Sequence, residues 1–383
     1  MSDEKVVLII PTFNTLGELK ELLKRLRYQT LIPDVLIIDN SSTDGTFDYV
    51  NNKFGLKLEK KTKRRSIYSA RLEKKAVIRY IQENFNLGCG PGLKEGQIYA
   101  YKLGYKYQIL SDSDAYPKSK NLIYELIKNT GKSACVPLNS KLSRYFKDKH
   151  MQKINSFQFH YLTITREMVK KVGYINNKYF IQFDDFDYSA RLAKRFTITQ
   201  LTNIEFEHAK GLSDILTAGS IRTYYYNRNV MIYYSGYHKK FERISKVLIY
   251  SVFGLFSCKL QKIPQFEYCM LSAILDGVLK KSGYKNLPDI KQEKLNRIRV
   301  KAPQQGLYIS SPEPVDMPYL KKFIFSEPKN PSLFYLIYKS LKYKNIIVNN
   351  YPTRSEYLKL LFFVLFNALY IYDNGEFYKL VIK

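Results

Sequence analysis

The chain has 383 residues, too many for one small core, so two or three domains are expected. Its 45% apolar and 25% charged residues are those of an ordinary globular protein. Sixty-two Lys and Arg against 34 Asp and Glu leave a formal charge of +28, which attracts polyanions: nucleic acid or an anionic membrane face. Charge alone does not choose between them, and the plain alternative is a low-GC genome rich in Lys. Cys89, Cys135, Cys258 and Cys269 form no CxxC pair, and the histidines fall into no zinc pattern, so a reduced cytoplasmic setting is expected. The opening Met1-Ser-Asp-Glu-Lys runs straight into a strand, so no signal peptide is expected. Val247–Ser257 and Leu358–Tyr372, the longest apolar stretches, fall short of the roughly 20 residues that span a bilayer.

Lys5–Pro11 (KVVLIIP) has the β-branched apolar run of a buried parallel strand. Glu18–Tyr28 carries Leu19, Leu22, Leu23 and Leu26 on one helical face. Asp34–Asp39 is a second buried strand, and Asn40–Gly45 turns into a helix at Thr46–Asn51. This alternation predicts a parallel, right-handed βαβ unit. Lys57–Arg79 is strongly basic and is read as an inserted loop or exposed helix, with a strand at Val77–Gln82. A helix at Leu93–Leu103, a strand at Tyr107–Ser111, a helix at Leu122–Lys128 and a strand at Ser133–Leu138 follow. Phe157–Thr165 is a further strand candidate, before helices at Glu167–Val172 and Asp187–Arg195. Ser220–Tyr234, Ser245–Ser257 and Tyr268–Ser282 read as helices. The tail has strand-like segments at Leu307–Ser310, Phe323–Phe325 and Ile346–Val348, and an apolar helix at Glu356–Leu369. Tyr370–Tyr372 and Phe377–Ile382 flank Asp373-Asn374-Gly375, a hairpin signal. The expected division is a catalytic domain at 1–218, a helical region at 219–290 and a small α+β appendage at 291–383.

In an open α/β sheet, ligands sit outside the carboxyl ends of the strands. Thr12 to Asn14, Asp39 to Ser41 and Asp112 to Asp114 all fall there. Asp112 and Asp114, two apart at a strand end, suit Mg²⁺ or Mn²⁺ beside a diphosphate; a solvated turn is the plain alternative. The Gly-rich run Asn86–Gly96 leads into a helix and lets backbone approach a phosphate, but its spacing is not a dinucleotide fingerprint. Asp184, Asp185 and Asp187 crowd one helix start. They are either caps or a general base with raised pKa. A lone His is usually structural, and His150, His160 and His238 are read that way.

VVLIIPTFN (6–14), VLIIDNSSTDGT (35–46), NFNLGCGPGLKEG (84–96), YQILSDSDAYP (107–117), FIQFDDFDYSARLAKR (180–195) and EHAKG (207–211) occur in one order over about the first 235 residues. In that order they resemble family 2 glycosyltransferases of the GT-A fold, most of all the galactofuranosyl- and rhamnosyltransferase group. YYYNRNVMIYY (224–234) and AILDGVLKKSGY (273–284) resemble later helices of that group. The resemblance implies an α/β fold with a mixed sheet flanked by helices. It implies that Thr12 and Asn14 flank a nucleotide, that Asp39 holds its base, and that Asn86 and Gly88 line the donor pocket. Asp112, Asp114 and His208 would bind Mn²⁺ or Mg²⁺. Asp185 would be the catalytic base, with Asp184 and Asp187 positioning the acceptor and Arg191 supporting the carboxylates. The expected activity is inverting transfer from a UDP- or dTDP-sugar, galactofuranose or rhamnose, to a glycan or lipid-linked hydroxyl. The expected place is the cytoplasm, peripheral on the inner face of the cell membrane. Its rivals are a nucleic-acid-binding protein, for which no recognition motif is found, an inactive glycosyltransferase-like scaffold, and a nucleotidyltransferase.

Overall fold

The computed structural model describes residues 5–73, 76–141, 151–209, 220–237 and 272–285, and strands at 296–300, 307–310, 345–349, 368–373 and 376–381. They fall into two compact units, the first holding Met1–Gly211, Ile221–Val247 and Ser272–Leu287.

The first unit is built on a mixed sheet. Its middle is four parallel strands: β5 (Ala76–Glu83), β2 (Asp34–Asp39), β1 (Val6–Thr12) and β6 (Tyr107–Leu110), in that order. All seven residues of β1 are buried, as a strand covered on both faces must be. Val6, Leu8 and Ile10 meet Leu19, Leu22, Leu23 and Leu26 of α1 (Leu16–Leu26) on one face. Val7 and Ile9 meet Leu93 and Ala100 of α3 (Cys89–Lys102) on the other. Each fully buried leucine contributes about 1.5–3 kcal/mol of transfer free energy, before entropy. Between β2 and β5 lies the helix α2 (Thr46–Phe54).

Beyond β6 the sheet continues as β10 (Leu162–Thr165), β8 (Ser133–Asn139), β11 (Thr197–His208) and β7 (Ala115–Pro117). The helix α4 (Leu122–Asn129) precedes β8, and α5 (Arg166–Val172) and α6 (Asp184–Ala193) precede β11. The first half of β11 pairs with β9 (Met151–Ile154) and its end pairs with β7, because its register breaks between Leu201 and Glu205.

Residues 57–79, expected as a loop or exposed helix, instead extend the sheet. β3 (Lys57–Lys61) and β4 (Arg65–Glu73) form an antiparallel pair that joins β5. Every residue of β3 is exposed, so no apolar alternation marked it as a strand. The strand expected over Phe157–Thr165 is confined to β10. Tyr161 takes φ 58°, which ends the extended geometry and leaves His160 on a bend.

The helix α7 (Ser220–Tyr237) belongs to the first unit from Ile221 onward. Residues 272–278 are also helical, within the expected span Tyr268–Ser282. The second unit contains a five-stranded sheet, ordered β12 (Asn296–Val300), β16 (Glu376–Val381), β15 (Ala368–Asp373), β14 (Asn345–Asn349), β13 (Leu307–Ser310). β15 and β16 pair antiparallel with Tyr372 opposite Phe377, as the hairpin signal required. Ala368 and Leu369, expected to end a helix, start β15. The rest of that helix, the helix Ser245–Ser257, the strand Phe323–Phe325, His150 and His238 lie outside the described residues. Among the described residues, no helix is long and apolar enough to cross a membrane.

Candidate active site

The carboxyl ends of β1, β2 and β6 bring three polar clusters to one edge of the sheet. After β1, the Thr12 and Thr15 hydroxyls are 2.8 Å apart, and Thr15 reaches the Ser113 hydroxyl at 2.9 Å. Asn14, at φ 51°, donates its N–H to Ser42 and accepts from the Thr43 N–H at 2.8 Å. Asp39 ends β2 with its side chain buried, taking bonds from the Tyr80 hydroxyl and the Ser42 N–H. Burial pushes its carboxyl above the usual range, against those two bonds.

The Gly-rich run is explained by close packing. At Gly88, φ 89°, a Cβ would lie 2.2 Å from the Phe180 carbonyl oxygen. At Gly90 it would lie 2.5 Å from the Tyr179 carbonyl oxygen, and at Gly96 2.3 Å from Ile9. The start of α3 therefore lies against the segment that leads into α6. The Asn86 side chain accepts the Gly88 N–H at 2.9 Å.

Cys89 is the first residue of α3. Its thiol donates to Asp112 Oδ1 at 3.5 Å. Burial raises the thiol pKa, with the charges of Asp112, Asp184 and Asp185 adding to it. Asp112 itself is pushed up to about 7, first by burial and then by Asp114. Asp184 is buried, and its Oδ2 has no hydrogen-bond partner. Burial, then Asp185, then Asp112, raise it well above the carboxylate range. Three carboxylates thus share one electrostatic neighbourhood. Asp185 is the more exposed of the two that open α6. Asp187 is different: Arg191 binds its Oδ2 with Nε and Nη2, both at 2.9 Å, and the Tyr237 hydroxyl donates to its Oδ1 at 2.8 Å. Arg191 therefore meets the acidic start of α6 at Asp187.

Beside them lies a candidate cation site. The β7–β11 pairing sets His208 opposite Ala115, one residue from Asp114, and His208 Nε2 is 3.4 Å from Asp114 Oδ1. His160 joins them from the 157–161 bend, its ring 4.7 Å from that of His208 and 4.9 Å from Phe206. One ligand atom from each of Asp114, His160 and His208 lies within 4.8 Å of the others. Asp112, expected as a ligand, is outside this trio, with Oδ2 3.8 Å from His160 Nε2. His160, read as structural in the sequence, is inside it. It follows no motif, so only the bend that Tyr161 imposes could have revealed it. Burial, then His208, hold the His160 imidazole down at about 3, so it is neutral and able to ligate. One carboxylate and two imidazoles fit a divalent cation.

Residues 7–187 match the family described as Glycosyl transferase family 2. No curated protein matches. Among solved structures, the chain is similar to the mannosyltransferase PcManGT from Pyrobaculum calidifontis in complex with GDP-Man and Mn²⁺. Identity is 12% and TM-score 0.47, over 73% of this chain and 88% of that one. It is similar to GalNAc-T7 with UDP, GalNAc and Mn²⁺ at 12% identity and TM-score 0.41, over 60% of this chain and 48% of that one. It is similar to A197 from STIV at 11% identity and TM-score 0.33, over 54% and 86%. The fold implied by the sequence resemblance, a mixed sheet flanked by helices, is the one found. The family match thus covers just under half of the chain, the part that carries β1, β2, β6 and the start of α6.

Proposed function

We propose that this chain is an inverting glycosyltransferase using a nucleotide-diphosphate sugar and a divalent cation. The observation that carries the reading is the gathering of Asp112, Asp184 and Asp185 around Cys89, beside Asp114, His160 and His208. Thr12 and Asn14 flank the nucleotide, and Asn86 and Gly88 border the donor pocket. Asp39 shapes the base pocket through the Ser42 turn it holds. Asp114, His160 and His208 hold the cation, with Asp112 next to them. When bound, the cation supplies positive charge for the departing diphosphate. Two imidazoles favour Mn²⁺ over Mg²⁺, which prefers carboxylates and water.

Asp185 takes the proton from an acceptor hydroxyl. That oxygen forms a bond to the anomeric carbon on the face opposite the nucleotide, while the bond to the diphosphate oxygen breaks. The nucleoside diphosphate leaves, and the anomeric centre is inverted. Asp184 and Asp187 order the acceptor side, Asp187 through its hold on Arg191 and Tyr237. General-base help contributes typically about 10²–10⁴-fold, and fixed orientation of the two sugars adds to it. The donor class we favour is a UDP- or dTDP-sugar, galactofuranose or rhamnose. A thermal-shift panel of UDP, dTDP and GDP with Mn²⁺ tests it: one nucleotide should raise the melting temperature. No shift with any of them overturns the reading.

The acceptor we infer is a glycan or lipid-linked hydroxyl at the anionic inner face of the cell membrane, in cell-surface polysaccharide or glycoprotein glycan assembly. The charge of +28 supports this. Flotation on liposomes should require anionic lipid and weaken with salt. Equal flotation on neutral lipid removes the idea.

A further inference from the structure

The residues that open α6 are preceded by an unusual turn. Gln182 (φ 65°) and Phe183 (φ 67°) are consecutive non-glycine residues in the left-handed region. Such a pair is costly and persists only where its surroundings hold it. The hold comes from α7. Asn229, fully buried, donates through Nδ2 to the Ile181 carbonyl at 2.8 Å and to the Gln182 carbonyl at 2.9 Å. Its Oδ1 accepts from Arg228 Nε at 2.9 Å. Both donors and the acceptor of the amide are thus used.

Arg228 is buried as well. It donates to the Lys178 carbonyl at 3.2 Å and the Gly283 carbonyl at 2.8 Å, and lies over the Tyr225 ring. Tyr225 stacks on Phe180 at 4.9 Å and 24°. The start of α3 holds the same segment: a Cβ at Gly88 would come within 2.2 Å of the Phe180 carbonyl oxygen and one at Gly90 within 2.5 Å of the Tyr179 carbonyl oxygen. The segment 178–183 is clamped between α7 and the start of α3, and the clamp ends at Asp184.

We propose that Asn229 is a positioning residue for the acidic start of α6. Its amide fixes the Gln182–Phe183 turn, and the turn sets Asp184 and Asp185 within electrostatic reach of Asp112. No other common side chain offers two donors and an acceptor at this length: Asp lacks the donors, and Gln is one methylene too long. The proposal rests on the reading of Asp185 as the general base.

The test uses Asn229→Asp and Asn229→Ala in the full chain. Asn229→Asp keeps the shape and the acceptor for Arg228 but sets a carboxylate against two carbonyls. If it fails to fold, Asn229→Ala, which adds no charge, carries the test. Three quantities are read: affinity for the stabilising nucleotide with Mn²⁺, kcat, and amide hydrogen exchange across 181–187. Expected are a nucleotide Kd within about twofold of the parent, a kcat lower by about 10²-fold, and faster exchange at 181–187 with β6 unchanged. A folded variant with parental kcat overturns the proposal, as does an equal loss of nucleotide affinity and kcat, the mark of general loosening. If the parent transfers no sugar from any nucleotide donor, the functional reading fails instead. Exchange then still decides the clamp: unchanged protection at 181–187 overturns it.

Discussion

The Tyr80 hydroxyl donates to Asp39 Oδ2 at 2.7 Å, joining the neighbouring strands β5 and β2 inside the sheet. With both side chains buried, no solvent can replace this bond. Tyr80→Phe should cost about 1–3 kcal/mol, the penalty for a buried group left without its partner. The sign of its pH dependence follows from the carboxyl. Asp39 already has a raised pKa, so its ionised form is the disfavoured one in the folded chain. Loss of Tyr80 raises that pKa further. The penalty should therefore be smaller at acid pH, as the carboxyl takes up its proton, than at neutral pH. Denaturant melts at the two pH values measure it. An equal penalty at both would show that the bond does not depend on the charge of Asp39.

The cation trio makes a second expectation. EDTA should abolish transfer, and Mn²⁺ should restore it. Asp114→Ala, His160→Ala and His208→Ala should each weaken nucleotide binding with Mn²⁺ present and change it little without. His160→Ala separates the geometry from the motif, since only the fold places it there. Calorimetry in both conditions is the check, and full activity in EDTA would remove the cation from the mechanism.

Asp185→Asn keeps shape and removes the proton acceptor. Turnover should fall by about two to four orders of magnitude, the usual range for loss of general-base help. Nucleotide affinity should hold, because Asp114 and its partners remain. NMR of the parental product should show an inverted anomeric centre. Retention of configuration, or a variant working near the parental rate, contradicts the assignment.

Gly96→Ala tests the packing of α3 on the sheet. Its Cβ would lie 2.3 Å from Ile9 Cγ2, so the helix must move away from β1. The expected loss is about 1–3 kcal/mol, as for other overpacked cores. Ile9→Ala in the same chain should cost less than it does alone, because the two changes share one space. Additive losses would place the strain elsewhere.

Much of the candidate site is legible in the sequence because its residues stand at the ends of buried strands. VVLIIPT and DVLIID announce β1 and β2 by composition, and Asp39 and Asp112 follow from where such runs stop. In the far half of the sheet β8 and β10 are legible as apolar runs, but β11 is not. Thr197–His208 mixes polar and apolar residues, and its register break disrupts alternation just where it turns from β9 towards β7. His160 carries no sequence signal for a related reason: its place beside His208 comes from a bend and from a strand distant in the chain. Asn229 looked like one polar residue in a Tyr-rich helix. The two carbonyls it binds belong to a turn that no residue preference predicts, since neither Gln182 nor Phe183 favours φ above zero.

Among the described strands, β3 ends the sheet, and three of its five exposed residues are lysines: Lys57, Lys60 and Lys61. A terminal strand is a template on which a second chain can add itself, and positive charge along it repels an identical copy. The basic hairpin thus has a bearing on solubility that is separate from sugar transfer. Replacing the three lysines with threonine would leave β3 a good strand former and strip that protection, turning the flank of the domain into a seed for intermolecular β-pairing.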